Sequence, residues 1–240
     1  MSEVSNQIFA RTELLLGEPC LARLAATRVI LFGVGGVGSW CAETLVRSGI
    51  GHLTLVDGDQ VMASNCNRQL PALTTTIGRN KVEVLRERLL QINPDADVQA
   101  ICGRYNADTA DTFGLADCDY VIDAIDSLKD KALLIRHVTS LPHTRLFSSM
   151  GAARKFDPTR IRIAEFSKVS GDPLARALRH AFKHDRLFPA RKFLCVYSDE
   201  QLPNAHPNPD NANGTMAHIT AIFGHMLAYL VLRDATTITT

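Results

Sequence analysis

The glycine-rich turn at residues 33–38 is the feature that most constrains how this chain can fold. The turn reads Gly-Val-Gly-Gly-Val-Gly and follows the apolar run Val29–Phe32, which is typical of a strand buried on both faces. A helix is predicted directly after it, at residues 39–48. In such a unit the first glycine permits a tight turn, the middle ones let a phosphate approach the backbone, and the last lets the helix pack on the strand. The sequence therefore predicts a nucleotide site with glycine positions at Gly33, Gly35, Gly36 and Gly38.

A second predicted strand, Leu53–Val56, ends at Asp57, nineteen residues beyond Gly38. An acidic residue at about this distance accepts hydrogen bonds from ribose hydroxyls in dinucleotide-binding units. The strand, the glycine turn, the helix and the acidic residue follow one another in the order that the motif needs, which strengthens the prediction of a nucleotide site. The glycines and Asp57 do not by themselves distinguish a nicotinamide dinucleotide from ATP.

The alternation of strand and helix patterns predicts an α/β protein with a Rossmann-like, doubly wound and mostly parallel sheet. After residue 151 we expect antiparallel strands with a basic helix between them, and an apolar helix that closes the fold. The 240 residues suit a single domain. The predicted strands are residues 29–32, 53–56, 97–101, 120–124, 146–150, 160–165 and 193–197, and the predicted helices are residues 11–26, 39–48, 81–92, 128–140, 173–184 and 216–232.

Polar and basic residues follow the second strand in a pattern that an oxidoreductase does not need. Asp59, Asn65 and Arg68 lie in the loop, and Lys81 opens the next helix. Arg68 and Lys81 can neutralise charge that develops on an α-phosphate and on a leaving pyrophosphate. Taken singly, each is as well explained as a surface charge. Combined with the glycine turn, they predict a triphosphate site.

Two carboxylates, Asp123 and Asp126, come at the end of the strand predicted at residues 120–124. Ligands of open α/β sheets bind at the carboxyl ends of the strands. Either carboxylate offers the oxygen ligands that Mg²⁺ prefers. We predict that Asp126 faces the metal and that Asp123 has a structural role.

Charge is distributed unevenly, although the whole chain carries a net +1. Between Arg145 and Lys192, twelve Lys or Arg residues stand against four Asp or Glu. This asymmetry predicts an anionic partner for the region, with a solvated helix face as the alternative.

The six cysteines are scattered, and none forms the C-x-x-C spacing of a structural zinc site. Free thiols and a polar N-terminus without a secretory pattern lead us to expect a cytoplasmic protein. The apolar segment Met216–Leu232 is interrupted by His218 and His225, so we expect a buried or dimer-interface helix and no stable membrane insertion.

These residues resemble the ThiF/MoeB superfamily of adenylating enzymes, which is related to the ubiquitin-activating enzymes. Within it the chain resembles the tRNA threonylcarbamoyladenosine dehydratase branch, from about residue 6 to residue 232. The matching positions are Arg11, Gly17, Gly33–Gly38, Asp57–Asp59, Asn65–Gln69, Lys81, Ile125–Asp126, Gln91–Pro94, Phe156–Thr159, Asp172–Leu174 and Val196–Ser198.

The resemblance implies a single adenylating domain with a nucleotide-binding part at about 1–150 and a substrate-, tRNA- and dimer-forming part at about 151–240. It implies ATP and Mg²⁺ as cofactors and a homodimer, in which Arg11 reaches the partner subunit's site as an arginine finger. Asp57 and Asn65 would contact ribose and phosphate, Arg68 and Lys81 would clamp the phosphates, and Asp126 would lie by the metal. A monovalent cation and a cysteine desulfurase or sulfur-acceptor system are further candidates.

The implied reaction is the ATP-dependent dehydration of threonylcarbamoyladenosine next to the anticodon of tRNA, through an acyl-adenylate. We expect no enzyme nucleophile and take Cys195 as a structural thiol. The basic residues Arg176, Arg179, Lys183, Arg186, Arg191 and Lys192 would track tRNA phosphates. Two alternatives stay open: adenylation of a ubiquitin-like or sulfur-carrier protein at its C-terminus, and an NAD-linked oxidoreductase, which leaves Asn65, Arg68 and Lys81 without a role.

Overall fold

A seven-stranded sheet forms the centre of the computed structural model, which describes residues 3–206 and 212–236. Its strands are β1 (Arg28–Phe32), β2 (His52–Val56), β3 (Asp97–Ile101), β4 (Tyr120–Asp123), β5 (Arg145–Ser149), β6 (Ile161–Glu165) and β7 (Leu194–Ser198). They lie in the order β3-β2-β1-β4-β5-β7-β6. All neighbours pair in parallel except β6 and β7, which are antiparallel. The predicted α/β class and the antiparallel C-terminal pairing are therefore confirmed.

Helices cover both faces of the sheet. They are α1 (Glu3–Leu16), α2 (Glu18–Ala26), α3 (Gly38–Arg47), α4 (Lys81–Ile92), α5 (Leu128–Ser140), α6 (Pro173–Asp185) and α7 (Ala217–Thr236), with short 3-10 turns at Ala63–Asn65, Ala110–Phe113, Leu115–Asp117, Pro158–Arg160 and Phe166–Lys168. Alternate residues of β1 belong to different cores: Val29 and Leu31 pack with α3, α4 and α7, whereas Ile30 and Phe32 pack with α5 and α6. A strand covered on both faces explains the unbroken apolar run.

The helix predicted at residues 11–26 is wrong as a single element. The backbone turns at Gly17, with φ at +78°, and separates α1 from α2. Pro19 follows in the first turn of α2, where its missing N–H costs nothing, but it prevents α1 from continuing. By contrast, α4, α5 and β3 have the predicted bounds.

The closing helix α7 lies in the hydrophobic core, where Phe223, Leu227 and Val231 are fully buried. It packs along α3 and also contacts α2, β5 and β7. Across residues 3–206 and 212–236, no helix combines the length and apolar character needed to cross a bilayer.

A buried ion pair fixes the loop after β4. Lys131 Nζ lies 2.8 Å from Asp123 Oδ2, and both side chains are completely buried. Lys131 also donates to the Ile125 carbonyl at 2.9 Å, while Asp123 accepts from the Ile125 N–H at 3.1 Å and from Ser148 Oγ at 2.7 Å. Both oxygens of Asp123 are thus engaged within the fold, and the pair holds Ile125, the residue before Asp126.

Lys131→Met should lower the free energy of unfolding by about 3–5 kcal/mol, because it leaves a buried carboxylate without its partner. Urea denaturation measures this loss. The matched control is Lys129→Met on the same helix, since Lys129 is exposed and its replacement should cost little. Equal stabilities of the two variants would contradict the structural role of the pair.

Candidate active site

A cavity of about 720 Å³ opens at the carboxyl ends of β1, β2, β4 and β5. It lies where the strand order reverses between β1 and β4, which is the usual ligand position in doubly wound sheets. Its volume is sufficient for a nucleotide with part of a second substrate. Its walls include the predicted residues Gly33, Gly35, Gly36, Asp57, Asp59, Arg68, Lys81 and Asp126.

The glycine turn brings the backbone against the sheet. A side chain at Gly33, where φ is +87°, would place its Cβ 2.6 Å from the Ala124 carbonyl oxygen. A Cβ at Gly38 would lie 1.8 Å from the Gly33 oxygen, so Gly38 is buried in the turn and does not line the cavity. Val37, the N-cap residue of α3, makes no side-chain capping hydrogen bond, and amide groups at a helix start form an anion site.

Asp57 ties the glycine turn to the end of β2. Its Oδ2 accepts from the Val34 N–H at 2.8 Å, and its Oδ1 accepts from the Asp59 N–H at 2.8 Å. Each carboxylate oxygen can accept a second hydrogen bond. The predicted ribose contact is therefore compatible with the structural role of this carboxylate.

Lys81 brings a buried positive charge into the cavity. Its side chain is 7% exposed, and Nζ lies 3.0 Å from Asp59 Oδ2, while Arg104 holds Asp59 Oδ1 at 2.6 Å. Burial acts to raise the pKa of Asp59, but the hydrogen bonds from Lys81 and Arg104 outweigh it and hold the pKa below its ordinary value. Lys81 is the first residue of α4, where the helix dipole disfavours a cation. A lysine at the start of a helix is locally unfavourable, and such unfavourable choices are typical of functional sites.

Arg68 is half-buried at the edge of the cavity. Its Nη1 donates to the Ser64 carbonyl at 3.0 Å and to Asn67 Oδ1 at 2.8 Å, and its own carbonyl accepts from Trp40 Nε1 at 3.1 Å. Asn65 is buried, its Oδ1 accepts from the Met62 N–H at 3.0 Å, and it does not line the cavity. The side chain of Asn65 thus stabilises the loop that carries Arg68.

Asp126, in the loop after β4, is exposed at the cavity, and Asp130, in the first turn of α5, also lines it. No three His, Cys, Asp or Glu side chains within the described ranges cluster closely enough to hold a metal alone. Mg²⁺ is commonly held by one or two carboxylates together with substrate phosphates. Asp126 and Asp130 fit that kind of site.

Comparison with known proteins identifies the family. Residues 9–239 match the model of the ThiF family. The chain belongs to the ThiF family. The predicted resemblance is therefore confirmed.

Several relatives within the family are tRNA threonylcarbamoyladenosine dehydratases, and more distant ones are adenylyltransferases of a sulfur carrier protein and of molybdopterin synthase. The dehydratase from Haemophilus influenzae is 39% identical over 93% of this chain and 92% of its own length, and the one from Bacillus subtilis is 41% identical over 80% and 74%. The crystal structure of the Escherichia coli tRNA N6-threonylcarbamoyladenosine dehydratase in complex with ATP superposes with a TM-score of 0.88 at 36% identity, covering 98% of this chain and 96% of that one.

Arg11 and Cys195, two residues discussed from the sequence, lie away from the cavity. Arg11 is exposed on α1 and is not among the lining residues. Cys195 is buried in β7, and burial raises the pKa of its thiol far above the usual range, which suits the predicted structural thiol. Cys195 therefore does not supply a nucleophile to the cavity.

Two arginines of the predicted tRNA-tracking stretch are occupied inside the fold. Arg179 donates to the Phe166 and Val169 carbonyls at 3.3 and 3.0 Å. Arg191 donates to the carbonyl of Thr139 in the last turn of α5 and to that of Pro142 just after it, both at 3.0 Å. Lys192 lies 3.4 Å from Glu165. Charge counts alone could not reveal these partners.

The lining residues that were not predicted as site residues include Gln69, Arg104, Lys155 and Asp172. Gln69 and Asp172 fall inside segments that match the family, but nothing in their spacing showed that they face a ligand. Arg104 follows β3, where a polar loop carries no recognisable motif. Lys155 is 4% exposed, an uncommon burial for a lysine.

Proposed function

We propose that this chain is an ATP-dependent enzyme that dehydrates threonylcarbamoyladenosine in tRNA to a cyclic product. The observation that carries the proposal is the cavity, in which a helix start and a buried lysine face a nucleotide-sized space, in a chain similar to such dehydratases over nearly its whole length. The family favours adenylation over the oxidoreductase alternative. Adenylation of a carrier protein would use the same site, but the names of the dehydratases described above give tRNA as their substrate.

The first step is attack of the threonyl carboxylate on the α-phosphorus of ATP. The amide groups at the start of α3 would bind the phosphates, and Lys81 and Arg68 would stabilise the charge that builds up as pyrophosphate leaves. Asp57 would hold the ribose. Asp126, with Asp130, would hold Mg²⁺, which supplies charge neutralisation to the phosphates when bound.

The second step is intramolecular. An atom of the carbamoyl group attacks the activated carbonyl and expels AMP, with the net loss of one water. No enzyme nucleophile is needed, which agrees with the buried position of Cys195. The protein has to orient the substrate and exclude water, and such positioning alone can lower a barrier by about 7–11 kcal/mol.

The tRNA surface that we propose is the basic face of α6, defined by Arg176 and Lys183 on the helix and by Arg186 directly after its end. All three are exposed, and within the described part of the chain none makes a hydrogen bond or ion pair through its side chain. Asp172 caps the start of α6 and also lines the cavity. An RNA bound to this face of α6 would therefore lie next to the opening of the cavity. Arg179, Arg191 and Lys192 are left out because the fold already uses them.

We also propose a homodimer in which Arg11 completes the partner subunit's site. Its support is the exposed position of Arg11 on α1 beside the exposed Leu14 and Leu15, which are 84% and 82% exposed in the single chain. Such apolar side chains on one helix suit an interface between copies.

We also propose a domain organisation and a cellular location. We treat residues 1–240 as one domain, with nucleotide-binding residues at about 1–150 and substrate- and dimer-forming residues at about 151–240, because β7 extends the same sheet beside β5. The six cysteines are unpaired, which supports the cytoplasm as the location. A monovalent cation and a cysteine desulfurase or sulfur-acceptor system stay predictions from the family.

The direct test is mass spectrometry of tRNA nucleosides after incubation with the enzyme. With ATP present, threonylcarbamoyladenosine should lose the mass of one water, and without ATP it should not. A tRNA that carries unmodified adenosine at that position is the control. An unchanged nucleoside, combined with tight binding of a nicotinamide dinucleotide, would contradict the proposed function.

Replacing Arg176, Lys183 and Arg186 together by Ala should weaken tRNA binding and make it less sensitive to salt. The slope of log affinity against log salt should fall by roughly two to three, about one for each lost phosphate contact. Arg145→Ala is the matched control, because Arg145 lies in the same basic region but is held by Asp234. An unchanged slope in the triple variant would remove α6 from the RNA surface.

Mixing Arg11→Ala and Lys81→Ala chains tests the arginine finger. Each variant alone should lose turnover by about 10²–10³, the usual cost of removing one transition-state donor. A mixed dimer has one intact site, so activity should return in part. Arg79→Ala, which removes an exposed cation paired with Glu87, should leave turnover near that of the unmodified enzyme. Confirmed mixed dimers without activity would exclude a role for Arg11 across the interface.

A further inference from the structure

Two buried side-chain atoms within the described residues have no hydrogen-bond partner, and both belong to residues that line the cavity. They are Gln69 Oε1 and Asp172 Oδ2. A buried polar atom without a partner typically costs 1–3 kcal/mol, so native proteins keep few of them. Both atoms therefore indicate places where a ligand completes the site.

Gln69 lies at the phosphate end of the cavity. A Cβ at Gly35 would be 3.7 Å from its Nε2, and Gln69 follows Arg68 directly in the chain. The two orientations of a glutamine amide are distinguished only by their hydrogen bonds, and in the reversed orientation the N–H groups of Gln69 would donate to the phosphates of the proposed nucleotide. Asp172 lies elsewhere, and the nucleotide does not account for it.

Asp172 faces the other end of the cavity. Its Oδ2 lies close to Gly151, where an added Cβ would be 3.5 Å away. Gly151 follows β5, which is two strands from β1, or roughly 10 Å along the sheet edge. With the ribose at the end of β2 and the phosphates at β1, the acyl part of an acyl-adenylate extends toward Asp172.

Within the described residues, Asp172 makes a well-formed hydrogen bond through only one of its oxygens, while the backbone N–H groups of Gly151 and Leu174 lie near the carboxylate. Oδ1 accepts from the Ala175 N–H at 2.8 Å and caps α6. Oδ2 lies 3.9 Å from Lys155 Nζ, which instead donates to the Ser198 and Glu200 carbonyls at 2.9 and 2.8 Å. An asparagine would cap α6 equally well, so capping does not explain the carboxylate.

The surroundings suit this carboxylate to accept a proton. Asp172 is 1% exposed. Burial raises its pKa above the ordinary value, and this outweighs the lowering by nearby backbone N–H groups and by Lys155. A base works best when its pKa approaches the pH at which it operates.

We propose that Asp172 Oδ2 is the general base for ring closure, accepting a proton from the carbamoyl group of the bound acyl-adenylate. This inference rests on the proposed function. A carbamoyl nitrogen or oxygen forms the new bond to the activated carbonyl carbon, the bond from that carbon to the AMP oxygen breaks, and AMP leaves with the electron pair. With either attacking atom, the carbamoyl group loses one N–H proton, and Asp172 Oδ2 receives it.

The test is Asp172→Asn, which keeps the cap on α6 but cannot accept the proton. Under single turnover with ATP and tRNA carrying threonylcarbamoyladenosine, pyrophosphate release should stay within about threefold of the unmodified enzyme. Formation of the cyclic nucleoside should slow by about 100-fold or more, the usual contribution of a general base. The acyl-adenylate should accumulate and be trapped by hydroxylamine.

Asp157→Asn is the matched control, because Asp157 also caps a helical turn but does not line the cavity. Asp172→Ser, which keeps a capping oxygen without a carboxylate, provides a second variant, and thermal unfolding checks that each one folds. Ring closure at the normal rate in Asp172→Asn would overturn the inference, as would equal loss of pyrophosphate release and ring closure. If the unmodified enzyme forms no cyclic nucleoside, the proposed function itself fails.

Discussion

The carboxylate of Asp57 is the interaction on which the rest of the site depends. One oxygen holds the backbone of the glycine turn through Val34, and the other holds the loop after β2 through the Asp59 N–H. Asp59 in turn holds Lys81 at the start of α4. One side chain thus fixes the relative positions of the helix start and of the buried cation that would share the phosphates.

The two ends of the cavity present different groups. The glycine turn, Lys81 and Arg68 make one end attractive to phosphates, where Asp57 and Asp59 hold these elements in place, whereas Asp172 places a carboxylate beside Lys155 at the other end, toward β5. This arrangement matches a reaction in two steps, since the first needs stabilisation of negative charge and the second needs a proton acceptor. The buried pair of Asp123 and Lys131 lies between the two ends and keeps the loop after β4 in place.

The sequence predicted the elements that follow from local periodicity. The turn at residues 33–38 could be recognised because its glycines are required by contacts as close as that between Gly38 and the Gly33 carbonyl. Gly17 was missed as a break because apolar residues on both sides kept a helical spacing. The positive φ of Gly17 and the following Pro19 separate α1 from α2, and a periodicity pattern takes account of neither.

Partners in space could not be predicted from the sequence in the same way. Arg179 and Arg191 count as positive charges in the sequence, yet neighbouring carbonyl groups bind both of them. Asn65 belongs to the motif but points into its own loop. The unpartnered oxygen of Asp172 depends on how β5, α6 and Lys155 pack together, which no spacing along the chain encodes.

An isotope transfer tests most directly whether the substrate carboxylate attacks the α-phosphorus of ATP. The threonyl carboxylate of the modified tRNA is labelled with a heavy isotope of oxygen, and the nucleotide products are then examined by mass spectrometry. The mechanism predicts that AMP carries one labelled oxygen, because the carboxylate oxygen stays on phosphorus when the ring closes. Unlabelled AMP, or ADP with the label in inorganic phosphate, would contradict it.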